Sequence, residues 1–275
     1  MRLKRSILAH VHIEKAAGQT FISILERNFK LRHARVKPLR KEHAGIFSSS
    51  DLKTVIRINP FLLAMSGHSI KPSNDLGDIA PNIRYITILR DPIDRFLSHY
   101  QYWVERLNKK LDIEEFISIR AMRNFQTQKI AGSEDLERAK RLLRERFFLV
   151  GIVEEFEMFL QVLAKKLEPL HFDVSYSIKN VGSQNTKCSI YEQAKQNIEQ
   201  IRECNALDTE LYSFVKTDLF LKEKELAGVR EGKNGNQCIY MKQQIPLWKI
   251  YRNFYYEPFI RLLRMCRGLP PLGSY

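Results

Sequence analysis

Short apolar runs followed by amphipathic stretches recur along the chain and predict an α/β fold. The first run, residues 7–13, predicts a strand that ends in a turn of small residues. A helix is predicted directly after this turn, because apolar residues recur there on one face at helical spacing: Phe21, Ile24, Leu25 and Phe29. The chain therefore begins with a strand, a tight loop and a helix.

Three more strands follow from the same pattern, over residues 61–66, 84–89 and 147–153. Helices are predicted after two of them, over residues 93–107 and 154–167. Short runs that are apolar throughout are typical of strands buried on both faces, as in a parallel sheet. The chain is thus expected to form a parallel sheet covered by helices.

The last third of the chain is predicted to be mainly helical, from residue 190 to 221 and again near the C-terminus. A Gly/Asn-rich turn at residues 232–237 predicts a hinge between these parts. We therefore expect one domain over residues 1–222 and a helical extension over residues 223–275 that packs on it. The aromatic and basic character of the extension leaves open a peripheral contact with a membrane or a lipid-linked glycan.

The composition indicates a folded protein in a reducing compartment. The 275 residues are 44% hydrophobic, which excludes bulk disorder. Four widely spaced cysteines show neither zinc-ligand spacing nor a disulfide framework. The basic N-terminus is a poor signal peptide, and no apolar run is long enough for a transmembrane helix. A cytoplasmic location is the expectation.

The charge predicts an anionic partner. Lys and Arg number 45 against 31 Asp and Glu, which gives a net charge of +14. Such a surplus suits a nucleotide, a nucleic acid, an acidic glycan or a membrane surface, and does not choose among them.

The loop after the first strand has the features of an anion site. Its sequence, from Val11 to Phe21, places Lys15 and Gly18 between a strand and a helix N-terminus. Backbone N–H groups and the helix dipole favour an anion there, and the lysine adds a full positive charge. An ordinary strand-to-helix turn is the alternative.

Two further strand ends carry candidate residues. His68 follows the strand at residues 61–66, and Arg90 follows the strand at residues 84–89. Ligands of α/β sheets collect at the carboxyl ends of the strands. Arg90, together with Ser98 in the next helix, can hold a phosphate group, unless Arg90 only forms a structural bridge to Asp91 or Asp94.

Two phosphate-type sites at strand–helix junctions fit one ligand with two phosphate groups, and here the sequence resembles a known family. Residues 12–21 (HIEKAAGQTF) are similar to the 5′-phosphosulfate loop of PAPS-dependent carbohydrate sulfotransferases, where PAPS is 3′-phosphoadenosine 5′-phosphosulfate. Residues 89–100 (LRDPIDRFLSHY) are similar to their 3′-phosphate motif. Weaker similarities follow at residues 124–126, 151–156 and 207–212. The nearest branch resembles uronosyl 2-O- and glucosaminyl 6-O-sulfotransferases and bacterial polysaccharide sulfotransferases.

The resemblance implies a P-loop-like three-layer αβα fold with a central, mostly parallel sheet. It implies that Arg90 and Ser98 hold the 3′-phosphate, that His68 is the catalytic base, and that the segment 182–187 closes over the cofactor. The residues that it places around the 5′-phosphosulfate are Lys15, Ala17, Gly18, Gln19, Thr20 and Phe21.

The sequence departs from the family pattern within the first loop. Ala16 and Gln19 stand where hydroxyl side chains are common, so two donors are missing. Glu14 stands where proline or glutamine is common, and its carboxylate could orient Lys15 or compete with His68 as the base.

The reaction that the resemblance implies is transfer of a sulfuryl group from PAPS to a sugar hydroxyl, leaving PAP. No metal is expected, and the preferred partner is an anionic polysaccharide rather than a nucleic acid. The alternatives are a P-loop nucleotide kinase, although GxxxxGK[ST] is absent, and a non-enzymatic binder of acidic glycan or nucleic acid. The acceptor sugar, the hydroxyl position and the oligomeric state are not determined by the sequence.

Overall fold

A computed structural model describes residues 6–43, 45–74, 76–176, 184–229, 250 and 252–269. Within these ranges the chain forms one parallel sheet of five strands in the order β2-β3-β1-β4-β5. The strands are β1 (Ile7–Val11), β2 (His33–Arg35), β3 (Ala64–Gly67), β4 (Ile83–Leu89) and β5 (Phe147–Ile152). The central strand β1 pairs with β3 on one side and with β4 on the other.

Helices connect and cover the strands. In chain order they are α1 (Gly18–Phe29), α2 (Ser49–Ile58), α3 (Pro92–Arg106), α4 (Ile113–Ser118), α5 (Phe125–Ala131), α6 (Leu136–Arg146), α7 (Phe156–Lys166), α8 (Gln184–Gln196), α9 (Ile198–Cys204), α10 (Ala206–Phe214), α11 (Phe220–Ala227) and α12 (Glu257–Cys266). Short 3₁₀ turns lie at Lys30–Arg32, Lys41–His43, Arg120–Met122 and Val153–Glu155, and π-helical turns lie at Val215–Leu219 and Arg252–Tyr256.

The predicted three-layer fold is confirmed by the two cores that cover the faces of the sheet. Alternate residues of β1 point to opposite faces: Leu8 joins one core, and Ile7 and Ala9 join the other. The first core includes the predicted apolar face of α1 together with Phe159 of α7. Because both faces are covered, β1 is buried throughout.

Strand β2 and helix α2 were not predicted. The sequence leaves the basic segment at residues 27–41 open between a basic rim near the anion loop and a solvated connection. In the structure it contains the edge strand β2. Three residues are too few to show an alternation of apolar and polar positions. Helix α2 begins with a capping box, in which Ser48 accepts from the Asp51 N–H and Asp51 accepts from the Ser48 N–H.

The C-terminal helix packs on the same domain. Tyr256 and Ile260 are buried in the core next to α2, and Arg264 donates a hydrogen bond to the Pro38 carbonyl. The opposite face of this segment leaves Phe254, Leu262 and Met265 exposed.

The predicted boundary between residues 222 and 223 falls inside α11, whose first residue, Phe220, is buried. The predicted turn at residues 232–237 lies outside the described residues. None of the helices in the described ranges combines the length and the apolar character that crossing a membrane requires.

Gly67 at the end of β3 allows the chain after β2 to approach closely. A Cβ atom at this position would lie 2.4 Å from the Val36 carbonyl oxygen, which is backbone and cannot turn away. We predict that Gly67→Ala lowers the free energy of unfolding by about 1–3 kcal/mol, as for other overpacked sites, in urea denaturation. Gly45→Ala is the comparison for backbone strain without overpacking, because Gly45 has φ of +80° but nothing within 4 Å of the new Cβ. Its free energy of unfolding should fall only by the strain that the Cβ introduces, about 1–2 kcal/mol. Equal stability of Gly67→Ala and the wild type would contradict the close packing.

Candidate active site

The carboxyl ends of three neighbouring strands bring the predicted site residues to one edge of the sheet. Because β3, β1 and β4 are adjacent and parallel, the segments that follow them leave the sheet side by side. His68 follows β3, the loop with Lys15 follows β1, and Arg90 follows β4. The His12 N–H donates to the Gly67 carbonyl oxygen at 3.3 Å, which ties two of these ends together.

The loop after β1 presents backbone N–H groups in a form suited to an anion. Lys15 and Ala17 both have positive φ, 68° and 56°. Left-handed residues in a turn can direct N–H groups toward a common point. The Ala16 N–H between them already donates to the Ile13 carbonyl at 3.4 Å. Helix α1 begins at Gly18 without a side-chain cap, so its first turn also offers N–H groups.

Gly18 is required by the packing beneath the loop. A Cβ atom there would lie 1.9 Å from the His12 ring, which fills the space under the helix N-terminus. The His12 ring in turn stacks on the His68 ring, with centroids 3.9 Å apart. Burial lowers the pKa of His12 well below its usual value, so this ring is neutral.

The other predicted residues of the loop differ in position. Gln19 is exposed, Ala17 is partly exposed and Thr20 is buried. Phe21 does not face the loop: its ring is fully buried against His10 and Phe159, and its N–H donates to the Ala17 carbonyl. The prediction that Phe21 lines the anion site is therefore not supported, and its place is in the core.

Arg90 joins the two motifs, which are 75 residues apart in the sequence. Its Nη1 donates to the Lys15 carbonyl oxygen at 3.2 Å, whereas the Asp94 carboxylate is 4.0 Å from Nη2. Ser98 lies on α3, one turn beyond Asp94, and is partly exposed. The structural bridge to Asp94 is thus the weaker contact of the guanidinium.

Gln126 holds the backbone of Arg90 in place. Its amide accepts from the Arg90 N–H at 3.0 Å and donates to the Arg90 carbonyl at 2.9 Å. The start of α5 is fixed in turn by the buried carboxylate of Asp208, which accepts from the N–H groups of Gln126 and Thr127. Sequence reasoning singled out both segments but not this arrangement.

A second set of hydrogen bonds fixes Asp91, the residue after Arg90. Asp91 caps α3 by accepting from the N–H groups of Ile93 and Asp94. Its own N–H donates to Glu154 at 3.0 Å, and Glu154 also accepts from the Tyr212 hydroxyl at 2.9 Å. All three weaker sequence similarities therefore converge on the corner formed by Arg90 and Asp91.

His68 is held by two acceptors on the same ring nitrogen. Its Nδ1 lies 3.1 Å from the His12 carbonyl oxygen and 3.0 Å from a Glu14 carboxylate oxygen. The side chain remains 44% exposed. The ring is thus fixed on one side and accessible from the edge of the sheet.

Glu14 contacts His68 and Lys129. The Lys129 ammonium lies 3.0 and 3.1 Å from the two oxygens of Glu14. Burial alone would raise the pKa of Glu14, but the hydrogen bond from His68 and the charge of Lys129 outweigh it and hold the pKa well below its usual range. Lys129 lies on α5 and was missed, because one lysine in a strongly charged segment gives no sequence signal.

Several cations surround this group. The Lys15 ammonium lies 4.7 Å from the centre of the Tyr102 ring, and burial, followed by Arg90 and Arg106, lowers the pKa of Lys15. Burial and nearby Lys129 lower the pKa of Lys71 to about 8. Such crowding of positive groups favours an anionic ligand.

The segment predicted to close over a cofactor lies only partly within the described residues. Residues 182 and 183 lie outside them, and residues 184–187 form the start of α8 rather than a loop. Farther along α8, the Tyr191 hydroxyl donates to Asp94, which places this helix beside α3. In the described part of the chain, no group of three or more His, Cys, Asp and Glu side chains is arranged to hold a metal ion.

Fold and site together define an α/β protein whose first strand–loop–helix junction has the features of an anion site. A model of the sulfotransferase family matches residues 3–219, most of the chain, which therefore belongs to the sulfotransferase family. The protein is accordingly an enzyme that transfers a sulfuryl group. Among solved structures, the crystal structure of a sulfotransferase from Alicyclobacillus acidocaldarius is similar at 13% identity and a TM-score of 0.41, over 74% of this chain and 97% of that chain. A search of curated proteins found no match.

The contact between Gly18 and His12 gives a test of the loop. We predict that Gly18→Ala displaces the His12 ring, lowers the free energy of unfolding by about 1–3 kcal/mol and weakens anion binding, measured by urea denaturation and by calorimetry with PAP. Ser23→Ala, in the same helix, is the control, because its hydroxyl donates to the Gln19 carbonyl within α1. Wild-type stability and PAP affinity in Gly18→Ala would contradict this packing.

Proposed function

We propose that this sulfotransferase moves a sulfuryl group from PAPS to a hydroxyl of a carbohydrate, with His68 as the general base. The observation that carries the proposal is the hydrogen bond from Arg90 to the Lys15 carbonyl, at the sheet edge that also carries His68. Transfer from a diphosphate-like donor to a hydroxyl requires groups that bind the anionic donor and a base close to the hydroxyl. Two anion-binding groups and a base that share one edge of the sheet meet this requirement.

The donor site fits the charge distribution of PAPS. The left-handed residues of the loop and the uncapped helix α1 suit the 5′-phosphosulfate, and Lys15 stands beside them. Arg90 and Ser98 suit the 3′-phosphate, since a guanidinium can make two parallel hydrogen bonds to one phosphate group. PAPS supplies the activated sulfuryl group, and PAP is the product.

His68 supports the proton transfer. Its Nδ1 faces two acceptors, so the proton resides there and Nε2 carries the free lone pair. An acceptor hydroxyl at Nε2 can lose its proton as its oxygen bonds to sulfur. General-base catalysis of this kind is worth about 10²–10⁴-fold.

Lys15 supports departure of the product. An ammonium at the mouth of the loop stabilises the negative charge that develops on the bridging phosphate oxygen. The Lys15 side chain rests on Tyr102 in this structure, and it reaches the donor by turning away from that ring.

The acceptor that suits the protein best is an anionic polysaccharide. The net charge of +14 and the lysines around His68 favour an acidic glycan over a neutral one. We place the protein nearest the uronosyl 2-O- and glucosaminyl 6-O-sulfotransferase branch and the bacterial polysaccharide enzymes, and we propose a cytoplasmic location.

Ligand binding tests the donor site. PAP should raise the melting temperature of the protein, whereas ATP with Mg²⁺ should not. We predict that Arg90→Ala weakens PAP about 10- to 100-fold, since a hydrogen bond to a charged group is worth about 1.5–3 kcal/mol. Arg84→Ala is the control, because Arg84 lies near the opposite end of the same strand. Stabilisation by ATP instead of PAP would favour the kinase alternative, and unchanged PAP affinity in Arg90→Ala would remove the 3′-phosphate assignment.

Transfer of labelled sulfate from PAPS to a panel of glycans tests the reaction. The panel should include desulfated heparin, chondroitin and hyaluronan as anionic acceptors and dextran as a neutral one. We predict that His68→Ala lowers kcat by about 10²–10⁴-fold, while the exposed His171→Ala keeps wild-type turnover. Near-full turnover in His68→Ala would show that the base lies elsewhere. Glycan binding without any transfer would favour a non-enzymatic binder.

A further inference from the structure

The Glu14 carboxylate bridges a histidine and a buried lysine. It lies 3.0 Å from His68 Nδ1 and 3.0 Å from the Lys129 ammonium, in a loop where the family pattern has an uncharged residue. An ionised residue so close to an anion site repels the ligand, unless it is neutralised and has another task. The contacts of Glu14 indicate that task.

The contacts of His68 fix the position of its proton. Both neighbours of Nδ1, the Glu14 carboxylate and the His12 carbonyl, can only accept hydrogen bonds. Nδ1 must therefore be protonated, and Nε2 must be the free acceptor. Stacking on the neutral His12 ring fixes the plane of the imidazole as well.

Lys129 keeps Glu14 ionised and in place. Its ammonium contacts both carboxylate oxygens, and the residue is only 7% exposed, so the charge is directed at Glu14 rather than at solvent. Helix α5, which carries Lys129, is anchored at its start by Asp208. The lysine is thus supported by the same helix that braces Arg90.

We propose that Glu14 is a positioning residue for His68, and that Lys129 positions Glu14 in turn. The inference deepens the proposed function and depends on it, because it assigns Glu14 and Lys129 to the general base of that reaction. Neither residue contacts the reacting atoms. Each acts by setting the tautomer, the orientation and the charge of the imidazole.

The acceptor hydroxyl gives its proton to His68 Nε2 while its oxygen forms a bond to sulfur. The bond between sulfur and the bridging phosphate oxygen breaks, and PAP leaves with that electron pair. The resulting imidazolium still donates its Nδ1–H to Glu14. The negative charge of Glu14 stabilises the imidazolium until the proton on Nε2 passes to solvent.

Glu14 is poorly suited to be the base itself. Both of its oxygens already accept hydrogen bonds from Lys129, and one of them also accepts from His68. A carboxylate stabilised in this way has little tendency to take a proton. The geometry therefore resolves the earlier choice between Glu14 and His68 in favour of His68.

Nitrogen NMR of histidine-labelled protein tests the positioning role without substrate. In the spectrum of the neutral imidazole, His68 should carry its proton on Nδ1; the signals are assigned with His68→Gln. In Glu14→Gln, Lys129 holds the amide oxygen and the amide NH₂ turns to the ring, so only the His12 carbonyl still accepts from Nδ1–H and the share of the Nε2–H tautomer should rise. A wild-type proton on Nε2, or an unchanged tautomer in Glu14→Gln, would overturn the proposal.

Kinetics with a glycan accepted in the transfer assay give the second readout. Glu14→Gln should lower kcat about 10- to 100-fold, less than the loss of about 10²–10⁴-fold for the base itself, with PAP affinity changed less than about threefold. Glu26→Gln is the matched control, since Glu26 is a buried carboxylate paired with Arg35 and Arg252 away from the site. It should keep wild-type kcat. Equal loss of kcat in both variants would indicate a merely structural effect and would contradict the proposal.

A double-mutant cycle tests Lys129. If Lys129 acts through Glu14, Glu14→Gln/Lys129→Met should be no slower than Glu14→Gln alone. If the losses of kcat in Glu14→Gln and Lys129→Met multiply in the double variant, Lys129 contacts the ligand directly. That result would overturn its assigned role. A wild-type protein that neither binds PAP nor transfers sulfate would refute the proposed function, whereas normal transfer in Glu14→Gln would refute only the positioning role.

Discussion

The parallel pairing of β1 between β3 and β4 is the constraint on which the site depends. Parallel strands end at the same edge of a sheet, so this pairing brings His68, the loop with Lys15, and Arg90 together although they are distant in sequence. It also sets tight limits beneath the loops: Gly67 has no room for a Cβ beside Val36, and Gly18 has none beside His12. The sheet therefore determines both the location of the site and the small residues that border it.

A chain of hydrogen bonds, of which those to Asp208 are buried, supports Arg90. Gln126 forms hydrogen bonds with the N–H and the carbonyl of Arg90. Asp208 accepts a hydrogen bond from the start of the helix that carries Gln126, and Glu154 accepts one from the N–H of Asp91. Buried polar groups must be fully paired to be tolerated, and a network that is fully paired fixes one arrangement. This explains why three segments far from the two main motifs share the same corner of the fold.

The electrostatics of the site combine many cations with one carboxylate. The surplus of positive charge attracts anionic ligands, but it would also disfavour a protonated base. Glu14 places one negative charge beside His68, and Lys129 pairs with that charge; under the proposed function this pairing limits repulsion between the carboxylate and the donor. Among the ion pairs of the described residues, Lys15 has no carboxylate partner, and the carboxylate of Asp94 lies 4.0 Å from Arg90.

The sequence by itself determined the α/β class, four of the five strands described here and the two anion-binding motifs, because their patterns are local: apolar runs, helical spacing, and small or basic residues at strand ends. It could not determine the edge strand β2, which is too short to show a pattern. It also assigned Phe21 both to the apolar face of α1 and to the anion loop, and the structure shows the first of these, with the ring packed against Phe159 of α7. It left Glu14 between two roles, orienting Lys15 or acting as the base. Only the tertiary structure brought Lys129 of α5 to this carboxylate, 115 residues away, and turned it toward His68. The physical reason is that the pattern of apolar and polar residues depends on the neighbours of a residue within its own helix or strand. The charge and tautomer of a side chain depend on groups from other elements.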